Sequence, residues 1–170
     1  MPNHCVNFLT LTGIYEDVEA LLKHVQSSER KFCFSTIVPY PEKFQKLDDA
    51  SEKWEKENPG KWHGRPVDGF NSGGIEWCYK NWGTKWNAYA TAGPAFEGGE
   101  QKPGEHCTVH LIFETAWSPP IPVMKAMAKT FPKVGVTLSY FESGMGICGE
   151  WSSDEDVEDW KQNYQGSRGG

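Results

Sequence analysis

The apolar pattern changes period twice within the first forty residues, which restricts the chain to folds in which a helix crosses over a sheet. Residues 3–12 alternate weakly, with Cys5, Asn7, Leu9 and Leu11 set against Val6, Phe8 and Thr10, the period of a strand. Residues 15–26 then carry Val18, Leu21, Leu22 and Val25 at i, i+3, i+4 and i+7. Glu16 and Asp17 sit in the first turn and Lys23 and His24 near the last, so this amphipathic helix also suits its own dipole. Residues 31–38 read as a second strand ending at Pro39. The opening is βαβ.

Pro39-Tyr40-Pro41 interrupts that plan. Residues 44–58 form a charged helix with a thin stripe of Phe44, Leu47, Ser51 and Trp54, residues 61–72 a loop punctuated by Gly and Pro, and residues 74–82 a short helix. These segments hold too few aliphatic residues for a core of their own, so residues 40–82 are expected to be a helical insertion. Strands over 86–92 and 107–115 follow, joined by a Gly/Pro/Glu-rich loop. Ser118-Pro119-Pro120 signals a helix running to about residue 131, with Ser118 as N-cap. Strands over 134–142 and 145–151 close a hairpin around Gly144. Residues 1–152 thus make one domain, and residues 153–170 an acidic C-terminal helix and frayed tail. The order β-α-β, β-β, α, β-β defines an α+β fold of split βαβ type, helices on one face of an antiparallel sheet.

A chain of 170 residues suffices for one such domain and is short for two. A net charge of −6 gives no broad attraction for nucleic acid, whose non-specific binding needs Lys and Arg on phosphates. No apolar run approaches the ~20 residues of a membrane span. Met1-Pro2-Asn3-His4-Cys5 has neither the basic start nor the apolar stretch of a secretory signal. The five cysteines are scattered without a C-x-x-C pair, which points to reduced thiols, and the expected compartment is the cytoplasm.

One stretch has the composition of a binding site. Asn81-Trp82-Gly83-Thr84-Lys85-Trp86-Asn87 mixes two indoles, two carboxamides and an ammonium in seven residues. Antiparallel pairing of the strands at 86–92 and 107–115 brings this turn to the same end of the sheet as Trp117 and Ser118. Trp82, Trp86 and Trp117 would then wall a cleft, with Asn81, Thr84, Lys85, Asn87, Ser118 and the neighbouring Glu142 supplying polar groups. The competing arrangement has the tryptophans cementing the inserted helix to the sheet. His106 and His110 share a strand face but stand roughly 13 Å apart, too far for one ion, so no metal site is expected. The sequence has neither a G-x-S-x-G nucleophile elbow nor a G-x-x-x-x-G-K-[ST] loop. Catalysis would have to rest on Lys85 with Glu142 or Glu114, and no cofactor is called for. The acidic stretch 150–159, with Trp151 and Trp160, is either a solvated helix or a negative arm for a basic partner.

Pro2-Asn3-His4-Cys5, the 81–87 segment, Thr115-Ala116-Trp117-Ser118-Pro119-Pro120 and Tyr140-Phe141-Glu142-Ser143-Gly144 together resemble the YubB ferredoxin-like family, proteins carried by bacterial plasmids and phages. The resemblance covers most of the chain in order and is weakest over residues 44–68. It implies a ferredoxin-like domain of mobile-element origin and no established activity. The expected function is therefore a non-enzymatic accessory protein that binds a host-derived target and counteracts host defence. In one version it sequesters a small nucleotide-like ligand in the tryptophan cleft; in another it blocks a host protein through its acidic surface. A small hydrolase or transferase using Lys85 and Glu142 is the alternative from a different class.

Overall fold

The computed structural model describes residues 3–99 and 101–154 and the backbone of 160–163. Strand β1, His4–Ile14, buries every second residue, among them Cys5, Leu9 and Leu11. Helix α1, Tyr15–His24, turns Val18, Leu21 and Leu22 onto that buried face. A long excursion follows, holding α2 (Glu42–Glu57) and α3 (Ile75–Asn81). The chain then returns as β2 (Tyr89–Phe96) and β3 (His106–Ala116), crosses back through α4 (Ile121–Thr130), and finishes as β4 (Gly135–Glu142), β5 (Ile147–Ser152) and β6 (Trp160–Asn163). The sheet order is β2-β3-β1-β4-β5-β6, with every neighbouring pair antiparallel. Taken through β4 without the excursion, the order β1-α1-β2-β3-α4-β4 is the split βαβ of a ferredoxin-like fold.

Three expectations change. Residues 31–38 are not a strand: Phe32, Cys33 and Phe34 are all buried in succession and Phe34–Thr36 forms a 3-10 turn. Both edges of β1 are already taken, by β3 over its whole length and by β4 from Cys5 to Thr12, so no central position is left. The second strand of the fold is β2, some fifty residues later, and the insertion extends from the end of α1 to the start of β2. Second, Ser118 is not a helix cap. Pro120 occupies that position in α4, and the Ser118 hydroxyl donates to Gly83 O at 2.6 Å. Third, Trp160–Asn163 pairs with β5 as a strand rather than continuing an acidic helix; residues 155–159 and 164–170 lie outside the described residues.

The insertion packs on the same face of the sheet as α1. Phe32 and Phe34 meet Phe113 of β3 with ring centroids 4.8 and 6.1 Å apart. From Phe34 the contacts continue to Trp82 at 5.8 Å, to Tyr40 at 5.7 Å and to Phe44 of α2 at 5.8 Å. This row of rings, offset and edge-on as aromatic quadrupoles prefer, carries the core outward from the sheet into the insertion.

Candidate functional site

The segment after α3 is shaped by two loop-to-loop hydrogen bonds. Thr84, fully buried, donates its hydroxyl to Ala116 O at 2.8 Å, and Ser118 donates to Gly83 O. Trp117 between them takes a left-handed φ of 74°, unusual for a bulky side chain, and its N–H donates to Asn3 O at 3.0 Å. Gly83 also has a positive φ of 79°, and a Cβ there would stand 2.7 Å from Pro122 Cδ. Only glycine fits that approach to α4. The two stretches thus meet at one end of the sheet, as antiparallel pairing requires.

Beside this latch lies a cleft of about 360 Å³. Trp82, Trp86 and Asn87 line it on the side returning to β2; Arg30, Tyr40 and Asp48 are among the residues lining the rest. Asn87 is the structural pivot. Its Oδ1 accepts from Phe34 N at 2.8 Å and Ala88 N at 2.9 Å, and its Nδ2 lies 3.4 Å from Cys33 Sγ. Arg30 donates from Nη1 to Ala88 O at 2.8 Å. Asp48 accepts the Phe70 N–H at 2.9 Å. The Tyr40 hydroxyl is buried without a hydrogen-bond partner among the described residues. Burial, and then the nearby Asp48 carboxylate, push its ionisation upward. Burial also pushes the Cys78 thiol up to about 12, so it is not a nucleophile at neutral pH.

The nine sequence-derived site residues do not all converge. Trp82 lines the cleft but is 4% exposed, and its indole N–H donates to Val38 O at 2.9 Å, so much of it cements the insertion. Trp86 keeps more of its surface, with Lys85 Nζ 5.1 Å from its ring centroid. Asn81 closes its own helix by donating to Trp77 O. Thr84, Trp117 and Ser118 belong to the latch, and Trp117 is not among the cleft residues. Glu142 is 1% exposed, and its two carboxylate oxygens accept the Gly144 and Met145 N–H groups at 2.8 and 2.7 Å. No ion pair joins it to Lys85 among the described residues. The expected three-indole wall is therefore a two-indole wall, completed by Arg30, Tyr40 and Asp48, which the sequence did not single out. Tyr40 carried a faint signal, a large aromatic held between two prolines; Asp48 was one acid among many.

Among the described residues no group of three or more His, Cys, Asp or Glu side chains is arranged to hold a metal, and no helix is long and apolar enough to cross a membrane. A family model described as the ferredoxin-like domain in Api92-like protein matches residues 82–168, just over half of the chain. No curated protein and no solved structure matches it.

Proposed function

We propose, for a chain that belongs to the family of the ferredoxin-like domain in Api92-like protein, a non-enzymatic binding role in which the cleft sequesters a small planar, nucleotide-like ligand. The observation that carries this reading is the cleft itself: indole walls, and polar side chains brought to it from separate segments. Its volume falls in the ordinary range for small-molecule sites. A base stacked on Trp86 gains roughly 1–3 kcal/mol. Asp48 offers a carboxylate to an exocyclic amine, and the remaining guanidinium N–H groups of Arg30 suit a phosphate. The family match begins at Trp82, so the walls contributed by Arg30, Tyr40 and Asp48 lie outside it. Ligand choice is accordingly a property of this chain's insertion.

The resemblance to plasmid- and phage-borne YubB proteins gives sequestration a setting. In a bacterial cytoplasm, a mobile element that removes a host nucleotide counteracts a defence depending on it. Blocking a host protein through the acidic 150–159 stretch is the second reading, and residues 155–159 of that stretch lie outside the described residues. A hydrolase built on Lys85 and Glu142 is disfavoured by the backbone contacts that occupy both Glu142 oxygens.

A thermal-shift and calorimetric screen against mono-, di- and cyclic nucleotides tests the proposal. At least one compound should raise the melting temperature, and Trp86→Ala should weaken its binding by about 5- to 150-fold, the equivalent of one stacking contact. Mass spectrometry of the compound released on denaturation should return it unchanged. A screen without a binder, or one whose binder is indifferent to Trp86→Ala, removes the cleft reading; a chemically altered product would make the protein an enzyme.

A further inference from the structure

The helices and the insertion occupy one face of the sheet, and the opposite face carries an apolar centre. Phe8 and Ile112 sit directly opposite each other on the central strands β1 and β3, 47% and 42% exposed. Val6 extends the patch along β1, and Phe141 of β4, 37% exposed, stands opposite Val6. Contiguous apolar side chains in the middle of a sheet face mark an interaction surface rather than chance exposure.

The charges around them decide what the surface fits. Strands β1 to β5 contain not one Lys or Arg, and the edge strand β6 contributes one, Lys161. The same face carries Glu114, whose carboxylate is 3.1 Å from His4 Nδ1, and Glu97, 2.6 Å from His110 Nε2. It also carries Glu150, which accepts a hydrogen bond from Ser139, the residue opposite Phe8. Aromatics on the central strands of such a sheet suit stacked bases, but a nucleic acid would bring phosphates to glutamates with no Lys or Arg on β1 to β5 to neutralise them. A second copy would set these glutamates against their own kind.

We propose that this open face docks a basic amphipathic helix of a partner protein, its apolar anchors on Phe8 and Ile112 and its Lys or Arg side chains on Glu97, Glu114 and Glu150. The proposal is independent of the cleft, which lies among residues of the insertion on the other side of the sheet.

The experiment is a ¹⁵N-resolved NMR titration of the full chain with a designed Leu/Lys amphipathic helical peptide. A Leu/Glu peptide of the same apolar pattern, a single-stranded DNA oligonucleotide and sedimentation of the protein alone complete it. The Leu/Lys peptide should shift amides of β1 and β3 around Phe8 and Ile112 and bind at least about tenfold tighter than the Leu/Glu peptide. Ile112→Ser, and separately Glu114→Gln with Glu150→Gln, should each weaken it several-fold while the circular dichroism spectrum is unchanged. Shifts on another surface overturn the proposal, as does affinity indifferent to Ile112→Ser, which would leave only diffuse charge attraction. Tighter binding of the oligonucleotide, or self-association lost in Ile112→Ser, assigns the face to a different occupant.

Discussion

Cys5 and Glu142 stand opposite each other across the β1–β4 pair, and both are completely or almost completely buried. Burial, with the Glu142 charge adding to it, pushes the Cys5 thiol up to about 12 from its ordinary 9.0. Cys78 is raised likewise, by burial and then Asp48. A thiol held protonated in the fold but free to ionise when unfolded costs nothing below pH 9; as pH rises from 9 toward 12 the unfolded state is increasingly favoured. Midpoints of urea unfolding should therefore fall through that window, and Cys5→Ala with Cys78→Ala should make the fall shallower; equal slopes would mean that other groups control it. Glu142 itself acts as a turn cap. Glu142→Ala leaves the Gly144 and Met145 N–H groups without their acceptor, about 1–3 kcal/mol for each that stays out of water, whereas Glu142→Gln keeps one good acceptor and should lose less. Both numbers come from the same urea titration. A Glu142→Ala protein of unchanged stability would return that residue to the list of candidates for chemistry.

At the scale of elements, the segment around Phe32 and Phe34 is tied to the start of β2 through side chains, chiefly Asn87 with Arg30 beside it, in place of strand pairing. Asn87→Ala removes the acceptor from two backbone N–H groups and should destabilise by about 1–3 kcal/mol for each one left unsolvated. Asn87→Asp keeps the accepting oxygen and should retain most of that stability, measured by thermal unfolding of the three proteins side by side. This arrangement also explains what the sequence could and could not disclose. Periodicity exposed α1, α3 and β3 because each buries a face whose repeat is local. Phe32 and Phe34 carry a strand's composition, but whether a strand forms depends on a free sheet edge, and the competing claims of β3 and β4 on β1 are not written near residue 32. The same reason divides the site. Trp82, Trp86 and Asn87 were legible as an odd mixture in one loop; Arg30 and Asp48 became neighbours of that loop only through the packing of the insertion.

For the whole molecule, the consequential feature is that an excursion of roughly sixty residues shares the core of a domain whose sheet can be described without it. Trp82 is the link: its ring contacts Phe34 on the sheet side and Tyr40 and Trp77 on the insertion side, and its N–H holds Val38 O. Truncating a buried aromatic of this kind typically costs 3–5 kcal/mol, or about that here. In Trp82→Ala the loss should fall unevenly, because the ring contacts of the indole are to Phe34, Tyr40 and Trp77, whereas α1 and α4 bury Leu21, Val123, Met124 and Met127 in the core of the sheet. Hydrogen exchange should accordingly rise across α2 and α3 while β1, β3 and α4 keep their protection, a pattern of sub-global opening. Uniform acceleration would instead show that insertion and sheet fold as one cooperative unit. The outcome bears on binding as well, since the cleft has walls from both sides of Trp82. A ligand that binds only the assembled cleft at a hundredfold excess over its Kd adds about 2.7 kcal/mol, comparable to the lower bound of the Trp82 loss. Saturating ligand should therefore restore slow exchange to α2 in the variant, whereas a compound bound at any other surface would leave α2 exchanging fast.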